Sequence, residues 1–273
     1  MLQRTSSNPA RGLALALLLV LVAPAAGAQS ESDAIFRNFQ PSGDFSVTIG
    51  GETFENVELY HAEQAGAYLL IGPELSSPLL INTRTRLVEQ ISLLKVAKRD
   101  SGIIDLLADA SFESLGPFAV GSQQLSFEYK GKKVVMEPKP PLLGLQKPQS
   151  LVDHNPAYGF KSDQYTPDGS QLARLREEGK DVRVRIYFGN WCPVCSRLVP
   201  KVLKVQEGLA DSKINFEYYG MPRPMSDDPI STEQKINGVP TGVVYVNGVE
   251  KGRLNGRDLY KPEASIARLL QGS

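Results

Sequence analysis

Residues 188–195 read Phe188-Gly189-Asn190-Trp191-Cys192-Pro193-Val194-Cys195. They follow a β-rich stretch that begins at Val182 and precede apolar residues at helical spacing over 198–205. The sequence therefore places Cys192 and Cys195 where a strand passes into a helix. Two thiols three residues apart on the first helical turn share one face and lie close enough to form a disulfide.

This spacing suits reversible disulfide chemistry. Free backbone N–H groups and the positive end of the helix dipole stabilise a thiolate at a helix start, which predicts Cys192 as the nucleophile. Pro193 takes the first helical position, where its missing N–H has no intrahelical partner. The N–H groups of Val194 and Cys195 remain as donors. Cys195, one turn further in, is predicted to resolve the mixed disulfide.

Two other uses of the cysteine pair stay open. One is a structural disulfide, although closing so short a loop removes little entropy from the unfolded chain. The other is half of a metal site, but the sequence has no second C-x-x-C pair, and its two histidines, His61 and His154, lie far upstream. We therefore expect neither a metal nor a cofactor.

Several landmarks in this part of the chain resemble the thioredoxin family. The stretch 188–195 looks like the family's strand-to-helix active site, and Pro200 matches the proline within its active-site helix. The residues Gly238-Val239-Pro240-Thr241, followed by an apolar strand and Asn247-Gly248, are similar to the family's cis-proline loop and hairpin. The resemblance covers about residues 160–273.

The resemblance implies an α/β thioredoxin-like C-terminal domain whose dithiol oxidises, reduces or isomerises protein disulfides. It also implies a cis peptide bond before Pro240. Val239 and Pro240 would then lie beside the dithiol and offer backbone groups to an extended substrate. Trp191 is either a substrate-contact platform or a core aromatic residue.

The sequence departs from the family in two places. Ile186 stands six residues before the first cysteine, where thioredoxin has a buried acid that aids proton transfer. A general cytoplasmic thioredoxin role is therefore not expected. The Pro193-Val194 pair differs from the Gly-Pro of reducing thioredoxins, and its first residue resembles glutaredoxins and periplasmic oxidants. The redox direction stays open.

The first 28 residues are predicted to be a signal peptide. Arg4 and Arg11 precede an apolar run from Leu13 to Ala23, and Ala26-Gly27-Ala28 offers small residues to a signal peptidase. The run is shorter than the roughly 20 residues of a spanning helix, although an uncleaved N-terminal anchor is the alternative. We expect a mature chain that begins at Gln29 and resides in the periplasm, where disulfides form and persist.

Composition narrows the class of protein further. With 41% hydrophobic and 22% charged residues, the chain has a globular profile, and 273 residues suffice for two domains. Thirty basic and thirty acidic residues give a formal charge of zero, so nucleic acid is not an expected partner. The expected partners are thiols and disulfides of exported proteins, together with an unidentified redox partner.

Residues 29–136 are predicted to form a smaller β-rich (α+β) N-terminal domain of no named family. Apolar alternation predicts hairpins over 45–60 and 125–136. Five prolines between residues 137 and 156 disfavour helix and central strand, so 137–159 is predicted to be an extended linker. The arrangement resembles isomerases that dimerise through such a module, which implies a homodimer. The alternative function is a client-binding, chaperone-like module with a secondary or structural dithiol.

Overall fold

The computed structural model describes residues 36–54 and 56–271, so the predicted signal peptide and its cleavage site lie outside it. Over the first part of this range the chain is built from strands. These strands are β1 (Gln40–Ser42), β2 (Phe45–Ile49), β3 (Glu52–Thr53), β4 (Glu58–Ala62), β5 (Ala67–Ile71), β6 (Leu79–Asn82), β7 (Leu87–Ile91), β8 (Val96–Lys98), β9 (Ile104–Leu106), β10 (Phe112–Pro117), β11 (Ala119–Val120), β12 (Leu125–Tyr129) and β13 (Lys132–Pro138).

Helices and strands are mixed in the rest of the described chain. These elements are β14 (Gly144–Gln146), α1 (Pro148–His154), α2 (Ala157–Asp163), α3 (Gly169–Arg176), β15 (Val182–Phe188), α4 (Pro193–Gly208), β16 (Ile214–Gly220), α5 (Pro229–Glu233), β17 (Thr241–Val246), β18 (Val249–Leu254) and α6 (Pro262–Gln271). None of the helices in the described ranges is long and apolar enough to span a membrane.

Two antiparallel sheets and a short two-stranded ribbon, β8–β9, make up the first part. The six-stranded sheet has the order β1-β4-β5-β6-β7-β10, and the five-stranded sheet has the order β11-β12-β13-β2-β3. Successive strand residues point to opposite faces, so Leu70 packs between the sheets while Leu69 packs beneath Ile104 of β9. Since both faces of the larger sheet are covered, Leu79–Asn82 is buried throughout its length.

Two expectations for this part need correction. The hairpin predicted over 45–60 ends early, because β2 turns at Gly50-Gly51 into the two-residue β3, whereas Glu58–Ala62 joins the other sheet. Between residues 36 and 138, within the described positions, there is no α-helix, so an α+β architecture is wrong there. The hairpin over 125–136 is confirmed, with positive φ at Lys130 and Gly131.

A five-stranded sheet of order β14-β16-β15-β17-β18 forms the centre of the second part. Strands β15 and β16 are parallel, and the other neighbours are antiparallel. Alternate residues of β15, such as Val184 and Ile186, pack against buried apolar residues of α3, α4 and α6 on one face. Tyr187 points to the opposite face, where it packs with Ile236 and Val243. The sheet and its helices form the mixed α/β region expected from the sequence.

The proline-rich segment is more ordered than an extended linker. Residues 144–146 form β14, which pairs with β16 at the edge of the sheet, and α1 begins at Pro148. Neither conflicts with the chemistry of proline, because β14 contains none and Pro148 occupies the first turn of its helix. The expectation of a stretch without helix or strand is therefore wrong for these residues.

Close packing joins this segment to both parts of the chain. A Cβ atom at Gly220 would overlap the carbonyl oxygen of Leu142, and one at Gly43 would lie 2.6 Å from the Cα of Asn155. Both obstacles are backbone or near-backbone atoms, which cannot move aside as a flexible side chain can. Asn155 Nδ2 also donates a hydrogen bond of 3.2 Å to Asp44 Oδ1. Glycine at these two positions allows the backbones to approach closely.

Candidate active site

The dithiol lies at the carboxyl end of the central strand β15. After Phe188 the chain turns through a bond of 3.0 Å from the Cys192 N–H to the Gly189 carbonyl. Cys192 then caps the N-terminus of α4, with extended backbone angles that a cap residue adopts, and Pro193 takes the first helical position. The structure brings both cysteines together as free thiols at this point. This is the local geometry that the sequence predicted.

Cys192 has an environment that favours its thiolate. The Cys195 thiol lowers the pKa of Cys192 most, followed by the backbone N–H groups of Cys195 and Val194 and the positive charge of Arg197. The Cys195 N–H lies 3.4 Å from Cys192 Sγ. Burial opposes these effects, since Cys192 is only 8% exposed, but the net result is a pKa of about 6. Most of the Cys192 population is therefore ionised at neutral pH.

Cys195 is in the opposite situation. It is fully buried in the core of the α/β region, and burial, followed by the hydrogen bond with Cys192, raises its pKa well above the ordinary value of a thiol. A buried thiolate would lack water to solvate it. The pair thus holds one negative charge on Cys192, stabilised by the proton on Cys195. Cys192 is thus available as a thiolate nucleophile, and Cys195 remains a thiol.

The loop before β17 completes the surroundings of Cys192. The Val239–Pro240 peptide bond is cis, as the resemblance to thioredoxins implied, and the Val239 carbonyl lies 3.4 Å from Cys192 Sγ. A thiol donates to this oxygen, whereas a thiolate has no proton to donate, so this bond belongs to the protonated form. Val239 is partly buried and Pro240 is buried. Both predicted loop residues therefore lie at the site.

An open groove of about 600 Å³ lies in front of the dithiol. One wall is formed by Gly238 and Val239, and Trp191 and Cys192 form its base. The facing wall is the loop 223–226, which follows β16 and contains a second cis bond, Arg223–Pro224. Sequence reasoning missed this wall. Its one signal is the pair of prolines directly after a strand, which marks a loop without showing what the loop approaches.

Trp191 lies between the core and the groove. Its Nε1 donates a 2.9 Å hydrogen bond to the Met221 carbonyl, and one side of the ring packs against the core. The other side lines the groove, where the guanidinium carbon of Arg223 lies 5.5 Å from the ring centroid. A Cβ atom at Gly189 would lie 2.5 Å from the indole, so glycine is required there to seat the ring. The indole is thus held between the Met221 carbonyl, the core and Gly189.

The remaining predicted residues have clear positions. Pro193 and Val194 form the exposed first turn of α4, and Val194 is 36% exposed. Ile186 is fully buried, so the site has an apolar residue where thioredoxin has an acid. Tyr158 of α2, which sequence reasoning missed, packs in the same core as the cysteines, and its buried hydroxyl has no hydrogen-bond partner among the described residues.

The two histidines do not join the dithiol. His61 of β4 stacks on Tyr68 with a centroid distance of 4.3 Å, and His154 ends α1 with its ring nitrogen 2.9 Å from the Pro140 carbonyl. Over residues 36–54 and 56–271, no three His, Cys, Asp or Glu side chains are grouped in a way that would hold a metal ion. The reactive groups that the structure does bring together at the start of α4 are the Cys192 and Cys195 thiols.

Comparison with solved structures finds partial similarities. A protein of unknown function from Pseudomonas aeruginosa aligns at 13% identity over 43% of this chain and 83% of its own, with a TM-score of 0.35. Thioredoxin f2 from Chlamydomonas reinhardtii aligns at 17% identity over 39% and 90%, with a TM-score of 0.28. A thioredoxin from Trypanosoma brucei brucei aligns at 15% over 39% and 88%, with a TM-score of 0.26.

No protein-family model matches the chain, and no curated protein matches it in sequence. The solved thioredoxins align with a minor part of this chain at low TM-scores.

Proposed function

We propose that the protein is an exported thiol–disulfide oxidoreductase that uses Cys192 and Cys195 to exchange disulfides in other proteins. The observation that carries this proposal is the contrast between the two sulfurs. Cys192, with a pKa of about 6, faces an open groove, while the fully buried Cys195 keeps its proton. A purely structural cysteine pair has no need of a stabilised thiolate at a groove.

The reaction follows from these two environments. The Cys192 thiolate attacks one sulfur of a substrate disulfide, the substrate S–S bond breaks, and the leaving thiolate takes a proton from water. Cys195 then attacks the Cys192 sulfur, the S–S bond between Cys192 and the substrate breaks, and the Cys195 proton passes to the departing substrate sulfur. This step releases the second substrate thiol and leaves a Cys192–Cys195 disulfide, so two electrons pass to the substrate. The reverse sequence oxidises a dithiol substrate.

An insulin-reduction assay tests the proposal. Dithiothreitol reduces the Cys192–Cys195 disulfide after each cycle, and the insulin B chain precipitates as its disulfides are cleaved. We expect catalytic amounts of the protein to shorten the lag before turbidity several-fold relative to dithiothreitol alone. A chain that accelerates neither this reaction nor the refolding of scrambled ribonuclease would contradict the proposal and favour the client-binding alternative.

Export belongs to the same proposal and rests on the sequence of residues 1–28. Their positive start, apolar run and small-residue site are features of a secretory signal. We expect mass spectrometry of the protein purified from the bacterial envelope to give Gln29 as the first residue. Finding peptides that retain Met1 in that fraction would show instead that the segment is kept as an anchor.

The clients that we propose are thiols and disulfides of other envelope proteins, with a separate protein to restore the dithiol or the disulfide. The sheets built from residues 36–138 carry neither cysteine, so we propose for them a part in positioning clients or in forming a homodimer. The chemistry itself is assigned to the α/β region.

A further inference from the structure

We propose that Arg223 selects disulfides whose reacting cysteine is next to an acidic residue. This inference rests on the proposed function and adds the substrate class. Apart from Cys192, Arg223 is the only residue lining the groove that carries an ionisable side chain. Arg223 is exposed and lines the same groove as Cys192, so it places a positive charge beside the path of a chain that reaches the nucleophile.

The Arg223 side chain lies over the Trp191 ring and keeps its hydrogen-bonding capacity. Its guanidinium contacts the ring of Trp191, and the ring is itself anchored by the 2.9 Å bond to the Met221 carbonyl. A cation–π contact uses the charge of the guanidinium and leaves its N–H donors available. Among the described residues, Arg223 takes part in no ion pair. Such a group matches a carboxylate, which it can bind through two parallel hydrogen bonds.

Neighbouring acids do not neutralise this charge. Asp228 forms no ion pair with Arg223, and its carboxylate accepts bonds from the Ile230 N–H at 2.9 Å and from the Tyr219 hydroxyl at 3.1 Å. Asp227 is exposed and does not line the groove. The second cation near the dithiol, Arg197, acts on Cys192 from within α4. The groove therefore presents an unpaired positive charge to substrate.

The positive charge of Arg223 bears on reactivity because Cys192 reacts as an anion. Cys192 attacks as a thiolate, and a carboxylate brought close to a thiolate is repelled. Residues next to each other in an extended substrate are about 3.8 Å apart at Cα, so the residue beside the reacting cysteine lies within reach of a long side chain on the groove wall. Arg223 offsets that repulsion and converts it into attraction. A basic neighbour meets Arg223 instead and is disfavoured.

Two fluorogenic peptides test the inference with the full-length protein. They differ only in the residue beside the disulfide-bonded cysteine, Glu in one and Lys in the other, and each rate is divided by the rate of the same peptide with dithiothreitol. We expect the reduced protein to prefer the Glu peptide by about 5- to 10-fold in low salt. In about 0.5 M NaCl the preference should fall below about 2-fold, because salt screens an exposed charge.

Three variants make the result specific. Arg223→Glu should reverse the preference, and Arg223→Gln should remove it while both peptides are still cleaved. Lys180→Glu makes the same net-charge change as Arg223→Glu at the opposite end of β15, about 20 Å away, and should keep the wild-type preference. If the wild-type protein cleaves the Glu and Lys peptides at equal normalised rates, this inference alone is overturned. The same holds if Arg223→Glu keeps the wild-type preference. Failure of the wild-type protein to cleave either peptide would overturn the proposed function with it.

Discussion

Replacing Cys192 with serine is expected to reduce insulin and peptide-disulfide turnover by roughly 1000-fold or more, to the background of dithiothreitol alone. A serine hydroxyl is not ionised near neutral pH, so it supplies no nucleophile at the groove. Replacing Cys195 with serine should also lower turnover strongly, but for another reason. Cys192 can still attack, but the protein has no resolving thiol, so the mixed disulfide persists until dithiothreitol cleaves it.

The two variants therefore differ in what they trap. After incubation with a disulfide-containing client and acid quenching, non-reducing electrophoresis should show abundant cross-linked product for Cys195→Ser and almost none for Cys192→Ser. Ser196→Ala is a suitable control, because Ser196 lies on the same exposed turn and its hydroxyl bonds only to the Pro193 carbonyl. Stable adducts on Cys192→Ser, with none on Cys195→Ser, would exchange the two roles.

Alkylation of Cys192 is expected to have a midpoint near pH 6 rather than near the ordinary value of a thiol. Below that pH the sulfur is protonated and unreactive, and above it the rate is constant. At pH 6 about half of Cys192 is thiolate, against about 0.1% of a thiol with a pKa of 9. Thiolates of lower pKa are intrinsically weaker nucleophiles, with a Brønsted slope of about 0.4–0.5, which offsets much of this difference. The net expectation is a rate about 20-fold above that of an unshifted thiol.

The measurement is the rate of iodoacetamide reaction between pH 4 and 9, followed by mass spectrometry of the peptide that contains both cysteines. Label should enter Cys192 and leave the buried Cys195 unmodified over this range. In Cys195→Ala the midpoint should move upward, because the side-chain donor that lowers the Cys192 pKa most has been removed. A midpoint near 9 in the unsubstituted protein would refute the stabilised thiolate.

The parts of the fold that the sequence predicted well depend on local chemistry. Cys192 caps α4 with Pro193 at the first helical position, and positive φ at Asn247 and Gly248 makes the turn between β17 and β18. The cis bond before Pro240 was expected from the resemblance to thioredoxins. In each case the residues that form the feature are adjacent in the chain, so the feature can be predicted from the sequence alone.

The parts that it could not predict depend on distant partners. Apolar alternation over 45–60 fits two strands, but nothing local shows that Glu58–Ala62 pairs in a different sheet. Arg223 lines the same groove as Cys192 only because β16 lies beside β15, so its position there cannot be predicted before the sheet order is known. Likewise, the prolines after residue 137 predicted an extended linker, so nothing in the sequence indicated that residues 144–146 pair with β16.

The pairing between β14 and β16 determines how far the chain could be shortened from its N-terminal side without exposing the edge of the α/β sheet. The bonds of this pair run from Gly144 to Gln146, upstream of residue 160, and Asn190 Oδ1 accepts a further bond of 3.1 Å from the Leu142 N–H. A shortened chain starting at 160 would strip β16 of its outer neighbour and leave a row of unpaired backbone groups. Exposed strand edges of this kind promote aggregation between copies. The smallest soluble unit therefore begins before Leu142, with the active-site loop and the proline-rich segment kept together.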